Sequence, residues 1–164
     1  MEALAAEAHV SPSSMASAHH QELKSLARRL LRVRRVRVLH GPEWAAEAPS
    51  QAGVYAIWER DSGRLVYIGE TSDLRARFRD LRQTANHTFR RSAKVRLGLP
   101  KNARAARVSV AMSNAYELAF ISVPFGRKEL EEYLVIRFRE HLFNKPAKGL
   151  LKGLQYAWVR VAPG

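Results

Sequence analysis

Gly53-Val54-Tyr55-Ala56-Ile57-Trp58, then Asp61-Ser62-Gly63, then Leu65-Val66-Tyr67-Ile68-Gly69 is the stretch on which the fold turns. Both flanks are rich in β-branched and aromatic residues, and the middle is a turn signal, so the segment reads as a β-hairpin. Side chains alternate along a strand, which allows Tyr55 and Tyr67 to share one face of the sheet. On its C-terminal side, Thr71 or Ser72 is expected to cap a helix that starts with Asp73. Leu74, Phe78 and Leu81 form the apolar stripe of that helix. A second basic helix is expected from His87 to Leu97. Candidate strands follow at residues 107–111 and 117–123. Pro124-Phe125-Gly126 breaks the chain, and Lys128 to His141 reads as a helix that Asn144-Lys145-Pro146 stops. Tyr156 to Val161 is a candidate last strand.

On its N-terminal side, residues 41–53 contain two prolines and read as a connector. Leu23, Leu26, Leu30 and Leu31 recur at helical spacing in a segment that also carries Lys24, Arg28, Arg29, Arg32, Arg34, Arg35 and Arg37. Residues 35–38 alternate basic and apolar, as a short strand would. Residues 1–20 are rich in Ala, Ser and His and show no period. The domain reading is therefore a disordered tail at 1–20, a basic helical extension at 21–45, and a catalytic-type domain at 46–164.

The chain has 164 residues, 28 Lys plus Arg against 15 Asp plus Glu, and a net charge of +13. A field of that sign attracts polyanions, with nucleic acid the first candidate and an anionic membrane surface the second. There is no cysteine, which excludes a disulfide framework, a thiolate nucleophile and a Cys-ligated zinc site. That usage fits a reducing cytoplasm, the expected location. No apolar run approaches the ~20 residues needed to span a bilayer, and no basic stretch precedes an apolar one as in a secretory signal.

Five features then fall in an informative order: Gly53-Val54-Tyr55, Tyr67-Ile68-Gly69, Arg77, Glu132 and Asn144. In this order the sequence resembles the GIY-YIG nuclease superfamily, over roughly residues 53–144. One small departure is Val54, where the family name has Ile. The resemblance implies an α/β (α+β) domain with a small, mainly antiparallel, three-stranded central sheet flanked by helices. It implies a single-metal DNA endonuclease, with Mg²⁺ or Mn²⁺ as cofactor and DNA as partner. The rival expectation is a non-catalytic nucleic-acid-binding protein that keeps the fold. A homodimer is one way so short a chain could read bases.

The site implied by the resemblance has Tyr55 and Tyr67 positioning or deprotonating a water, Arg77 stabilising the phosphorane, Glu132 holding the metal, and Asn144 orienting a phosphate or a site side chain. Gly53 and Gly69 are motif glycines, and a side chain at Gly69 would block the substrate. Glu132 is preferred over Glu129 and Glu131 because Glu132 to Arg137 reads as Glu, two variable residues, two aliphatics and a basic residue. Glu131 is expected to point elsewhere. Two departures bear on chemistry. Glu70 stands where some members carry Lys, and Leu81 stands where many carry His or Tyr. His87 is the nearest replacement for the latter. Arg75, Arg90, Arg91 and Lys145 are the expected DNA-backbone contacts.

Overall fold

The computed structural model describes residues 12–39, 44–83 and 87–144. The described chain runs α1 (Pro12–Arg32), β1 (Val36–Arg37), β2 (Gly53–Glu59), β3 (Leu65–Thr71), α2 (Leu74–Gln83), α3 (Thr88–Arg96), α4 (Ala105–Ala115), β4 (Tyr116–Ser122) and α5 (Arg127–Phe138). The four strands form one antiparallel sheet in the order β1-β4-β2-β3. The β2–β3 hairpin is thus extended by β4 on the far side of β2. The expected three-stranded sheet is its centre, and β1 adds two residues beside β4.

Helices cover both faces. On one face, Tyr55, Ile57 and Tyr116 pack with Phe78 and Leu81 of α2, Phe89 of α3, and Val108 and Met112 of α4. On the other, Val54, Ala56, Ile68 and Ile121 pack with Leu23 and Leu30 of α1 and Leu130 and Leu134 of α5. Strand β2 is therefore buried on both sides, which is why its sequence reads as a continuous apolar run. Each large side chain in these layers contributes about 1.5–3 kcal/mol by leaving water.

The start of α2 is fixed with particular care. Asp73 Oδ1 accepts from the Ala76 N–H at 2.8 Å, so Asp73 is the capping residue rather than Thr71 or Ser72. Thr71 Oγ1 instead bonds the Asp73 backbone. The N–H groups of Leu74 and Arg75 donate to the carbonyls of Gln51 and Pro49, and Arg75 Nε donates to Ala48 O at 2.8 Å. The connector before β2 is thereby bonded onto the helix end, and the helix's orphan donors are satisfied.

Several expectations change. Helix α1 begins at Pro12, so residues 12–20 are its first turns rather than tail. Proline is well placed at a helix start, where its missing N–H costs nothing. Residues 107–111 lie in α4, not a strand. Their alternating residue types mislead, because the buried pair is Val108 and Met112, one helical turn apart, while Val110 is 62% exposed. Helix α5 ends at Phe138, well before Asn144. The candidate strand at 156–161 and the candidate contact Lys145 lie outside the described residues. Among the described residues no helix is long and apolar enough to cross a membrane.

Arg90 is corrected as well. It is buried, and its guanidinium donates to Leu81 O at 2.9 Å and Ala105 O at 3.2 Å. It joins α2, α3 and the start of α4 instead of facing a phosphate backbone. Arg91, the next residue, is exposed. Arg90→Met should cost about 2–4 kcal/mol in urea unfolding, since it strands two carbonyls. Arg91→Met should stay within about 0.5 kcal/mol of the wild type.

Candidate active site

The hairpin register sets the centre of the site. Tyr55 of β2 stands opposite Gly69 of β3, and Ile57 stands opposite Tyr67. Both tyrosines therefore project from the same face, with ring centroids 6.1 Å apart. The Tyr55 phenol lies directly across Gly69. A Cβ on that glycine would sit 2.5 Å from the phenol carbon and oxygen. Gly69 is required because the Tyr55 ring occupies the space a side chain would fill, which replaces the expectation that it keeps the substrate path open. Gly53 has a similar constraint: a Cβ there would collide with the Ile121 carbonyl and the Leu74 side chain.

A cleft of about 270 Å³ opens beside these phenols, lined by Tyr55, Tyr67, Gly69, Glu70, Arg77, His87, Thr88 and Glu131. Arg77 reaches it from α2. It flanks the buried stripe of Leu74, Phe78 and Leu81, so it faces inward while Arg75 and Arg79 are exposed. His87 and Thr88 enter from the start of α3. Glu131 arrives from α5 on the opposite face of the sheet, alongside β3, and its carboxylate accepts a hydrogen bond from the Glu70 N–H.

The carboxylate in the cleft is thus Glu131, and Glu132 is not among the lining residues. The choice between them rested on which two aliphatics follow. Leu134 and Val135 are the buried pair, at 0% and 5% exposure, whereas Ile136 is only half-buried. The pattern read from Glu132 ends on basic Arg137, whereas from Glu131 it would end on Ile136. Sequence pattern thus favours Glu132, while packing brings Glu131 to the cleft. Glu131 shares a helix side with Leu134 and Val135 at three- and four-residue spacing.

Asn144 is also reassigned. Its Nδ2 donates to Ile68 O at 2.9 Å, and its Oδ1 accepts from Ile68 N at 3.3 Å. The Phe143 N–H donates to Val66 O at 2.6 Å. Both ends of the amide are spent on β3, on either side of which stand the backbone groups that hold Tyr67. Asn144 is not among the residues lining the cleft.

The charges within the cleft follow from burial. Burial, then the neighbouring Tyr67, pushes the Tyr55 phenol well above its ordinary range. The Tyr67 phenol is raised by burial and by the Glu131 charge. The raised values keep both phenols as neutral hydroxyls near pH 7. Burial, with Glu70 and Glu132 nearby, lifts the Glu131 carboxyl to about 7. Burial and the Arg77 charge lower His87 to about 4, so its imidazole is neutral. Neither His87 ring nitrogen has a hydrogen-bond partner, although both are buried. A buried polar group without a partner is costly and marks a place where a ligand or water is expected.

The GIY-YIG catalytic domain model matches residues 51–144, more than half of the chain. The chain belongs to the GIY-YIG family. Proteins of this family are generally nucleases that act on DNA and use divalent metal ions. No curated protein and no solved structure was found to match the chain. The GIY-YIG match begins at the segment bonded to α2 and ends at Asn144, so it encloses every residue that lines the cleft.

The cleft suits such an ion. Glu131 is a buried hard oxygen donor whose charge a cation would offset, and Glu70, held by Arg127, lies beside it. Among the described residues no three His, Asp or Glu side chains form a closed cage. Mg²⁺ keeps several waters and needs only one or two carboxylates.

Gly69→Ala should displace the Tyr55 ring and lower stability by about 1–3 kcal/mol, read by urea unfolding, because the buried ring has no space to retreat into. His87 supplies a pH test. Its pKa of about 4 in the fold lies below the 6.5 of the unfolded chain, so its contribution is complete above pH 6.5 and lost as pH falls towards 4. Unfolding midpoints should therefore fall more between pH 7 and pH 5 in the wild type than in His87→Leu.

Proposed function

We propose that this protein is a metal-dependent DNA endonuclease that hydrolyses phosphodiester bonds with a single divalent cation. The observation that carries the reading is the convergence of two phenols, a guanidinium, an imidazole and a carboxylate, drawn from β2, β3, α2, α3 and α5, on one cleft. The net charge of +13 supports a polyanionic substrate.

Each side chain has a task suited to its charge state. The Arg77 guanidinium binds the scissile phosphate and stabilises the charge that grows on it as phosphorus becomes five-coordinate. The Tyr67 and Tyr55 hydroxyls, side by side on one sheet face, hold the attacking water and a phosphate oxygen in line. His87 offers an unpartnered nitrogen as acceptor for a proton of that water. Its basicity rises when the phosphate enters, because the anion offsets the Arg77 charge that depresses it. The water oxygen forms the new bond to phosphorus and the bond to the 3′ oxygen breaks. The products are a 5′-phosphate and a 3′-hydroxyl that takes its proton from solvent. Glu131, with Glu70 beside it, would hold Mg²⁺ or Mn²⁺, which when bound supplies Lewis-acid polarisation of the phosphate and neutralises charge on the leaving oxygen. Exposed Arg75 and Arg91 are candidate contacts to the DNA backbone on either side.

Purified protein should nick plasmid DNA with Mg²⁺ or Mn²⁺ and stop on chelation. Glu131→Gln should lower the rate at least about a hundredfold, and Glu132→Gln should leave it within about threefold of the wild type. Loss with Glu132→Gln alone would restore the assignment read from the sequence. Equal cleavage by both variants and the wild type would sink the catalytic reading altogether.

A further inference from the structure

Phe125 is 88% exposed in the turn between β4 and α5. Among the described residues it is the aromatic one of three strongly exposed large apolar side chains, the others being Val95 and Val110. The turn that carries it is held firmly. On one side Val123 is buried, and its N–H donates to Ala52 O at 2.9 Å. On the other, Gly126 adopts the left-handed region at φ 72° and accepts from the Leu130 N–H as α5 begins. Pro124 restricts the backbone further. Two residues beyond Phe125, Arg127 Nε donates to Glu70 Oε2 at 2.7 Å, and Glu70 lines the cleft. The ring therefore stands on a rigid support, two residues from an arginine that bonds a cleft residue.

A rigid, exposed aromatic ring on a strongly basic protein has an evident use: nucleobases stack on such rings with little regard to sequence. A paired base is already stacked within its duplex and is not available. Resting on the nuclease reading, we propose that Phe125 stacks on an unpaired base next to the scissile phosphate, so that the substrate class is DNA with single-stranded or splayed nucleotides at the cut. Exposed Lys128 follows close behind the ring, and the chain carries a net charge of +13, which suits a polyanion better than an apolar protein surface. The ring then reads the state of the base, while Arg77 and the phenols handle the phosphate.

The test uses the full chain carrying Glu131→Gln, so that DNA is bound without being cut. The probe is a forked oligonucleotide duplex with 2-aminopurine in the unpaired arm, compared with the matching fully paired duplex. Fluorescence of the unpaired 2-aminopurine should be quenched on binding. Adding Phe125→Ala should abolish the quench and lower the ratio of fork to duplex affinity about tenfold. Phe125→Trp should keep both. An unchanged ratio, or equal weakening on both probes, would overturn the proposal. If the protein with Glu131 intact cleaves forks and Phe125→Ala cleaves fork and duplex at the wild-type ratio, stacking fails while the nuclease reading stands. If the quench is seen but no bond is cut with Mg²⁺ or Mn²⁺, the reverse holds. Binding of neither probe overturns both.

Discussion

One close approach governs this molecule: the phenol of Tyr55 lying over the bare backbone of Gly69. It fixes the register of β2 against β3, because a slip of one residue would put the two tyrosines on opposite faces. The bare backbone of Gly69 lets the Tyr55 ring lie across β3 and line the cleft.

Around that contact the electrostatic arrangement is economical. The two phenols are kept neutral by burial, and burial together with the Arg77 charge keeps the imidazole of His87 neutral. The carboxyl of Glu131 is raised to about 7 by burial and by the nearby Glu70 and Glu132 charges. An arrangement with one fixed positive group, several neutral hydrogen-bonding groups and crowded negative ones is suited to receiving both a phosphate and a cation. Each arriving charge relieves a strain left by the side chains already there.

Much of this was legible in the chain. The hairpin, the shared face of Tyr55 and Tyr67, and the helix bearing Arg77 follow from local alternation and capping chemistry. The family follows from motif order. What failed did so for identifiable reasons. Glu131 and Glu132 are adjacent, the pattern ending on Arg137 favours Glu132, and only the packing of Leu134 and Val135 brings Glu131 to the cleft. Residues 107–111 show strand-like alternation, but their burial follows the helical period. Arg90 looks like any surface arginine, and nothing local announces that its guanidinium closes three helix ends. Glu70 in place of a lysine is explained by a partner 57 residues away, Arg127, and pairs that distant leave no mark in either segment.

The bonding of Phe143 and Asn144 to β3 has a consequence apart from catalysis. Strand β3 lies at one end of the sheet, where its unpaired amides and carbonyls would invite another extended chain. The groups of Val66 and Ile68 are already taken by this short segment. The opposite end is β1, only two residues long. At both margins, then, short segments outside the hairpin take up part of the edge's hydrogen-bonding groups, and the β3 edge offers fewer of them to another chain.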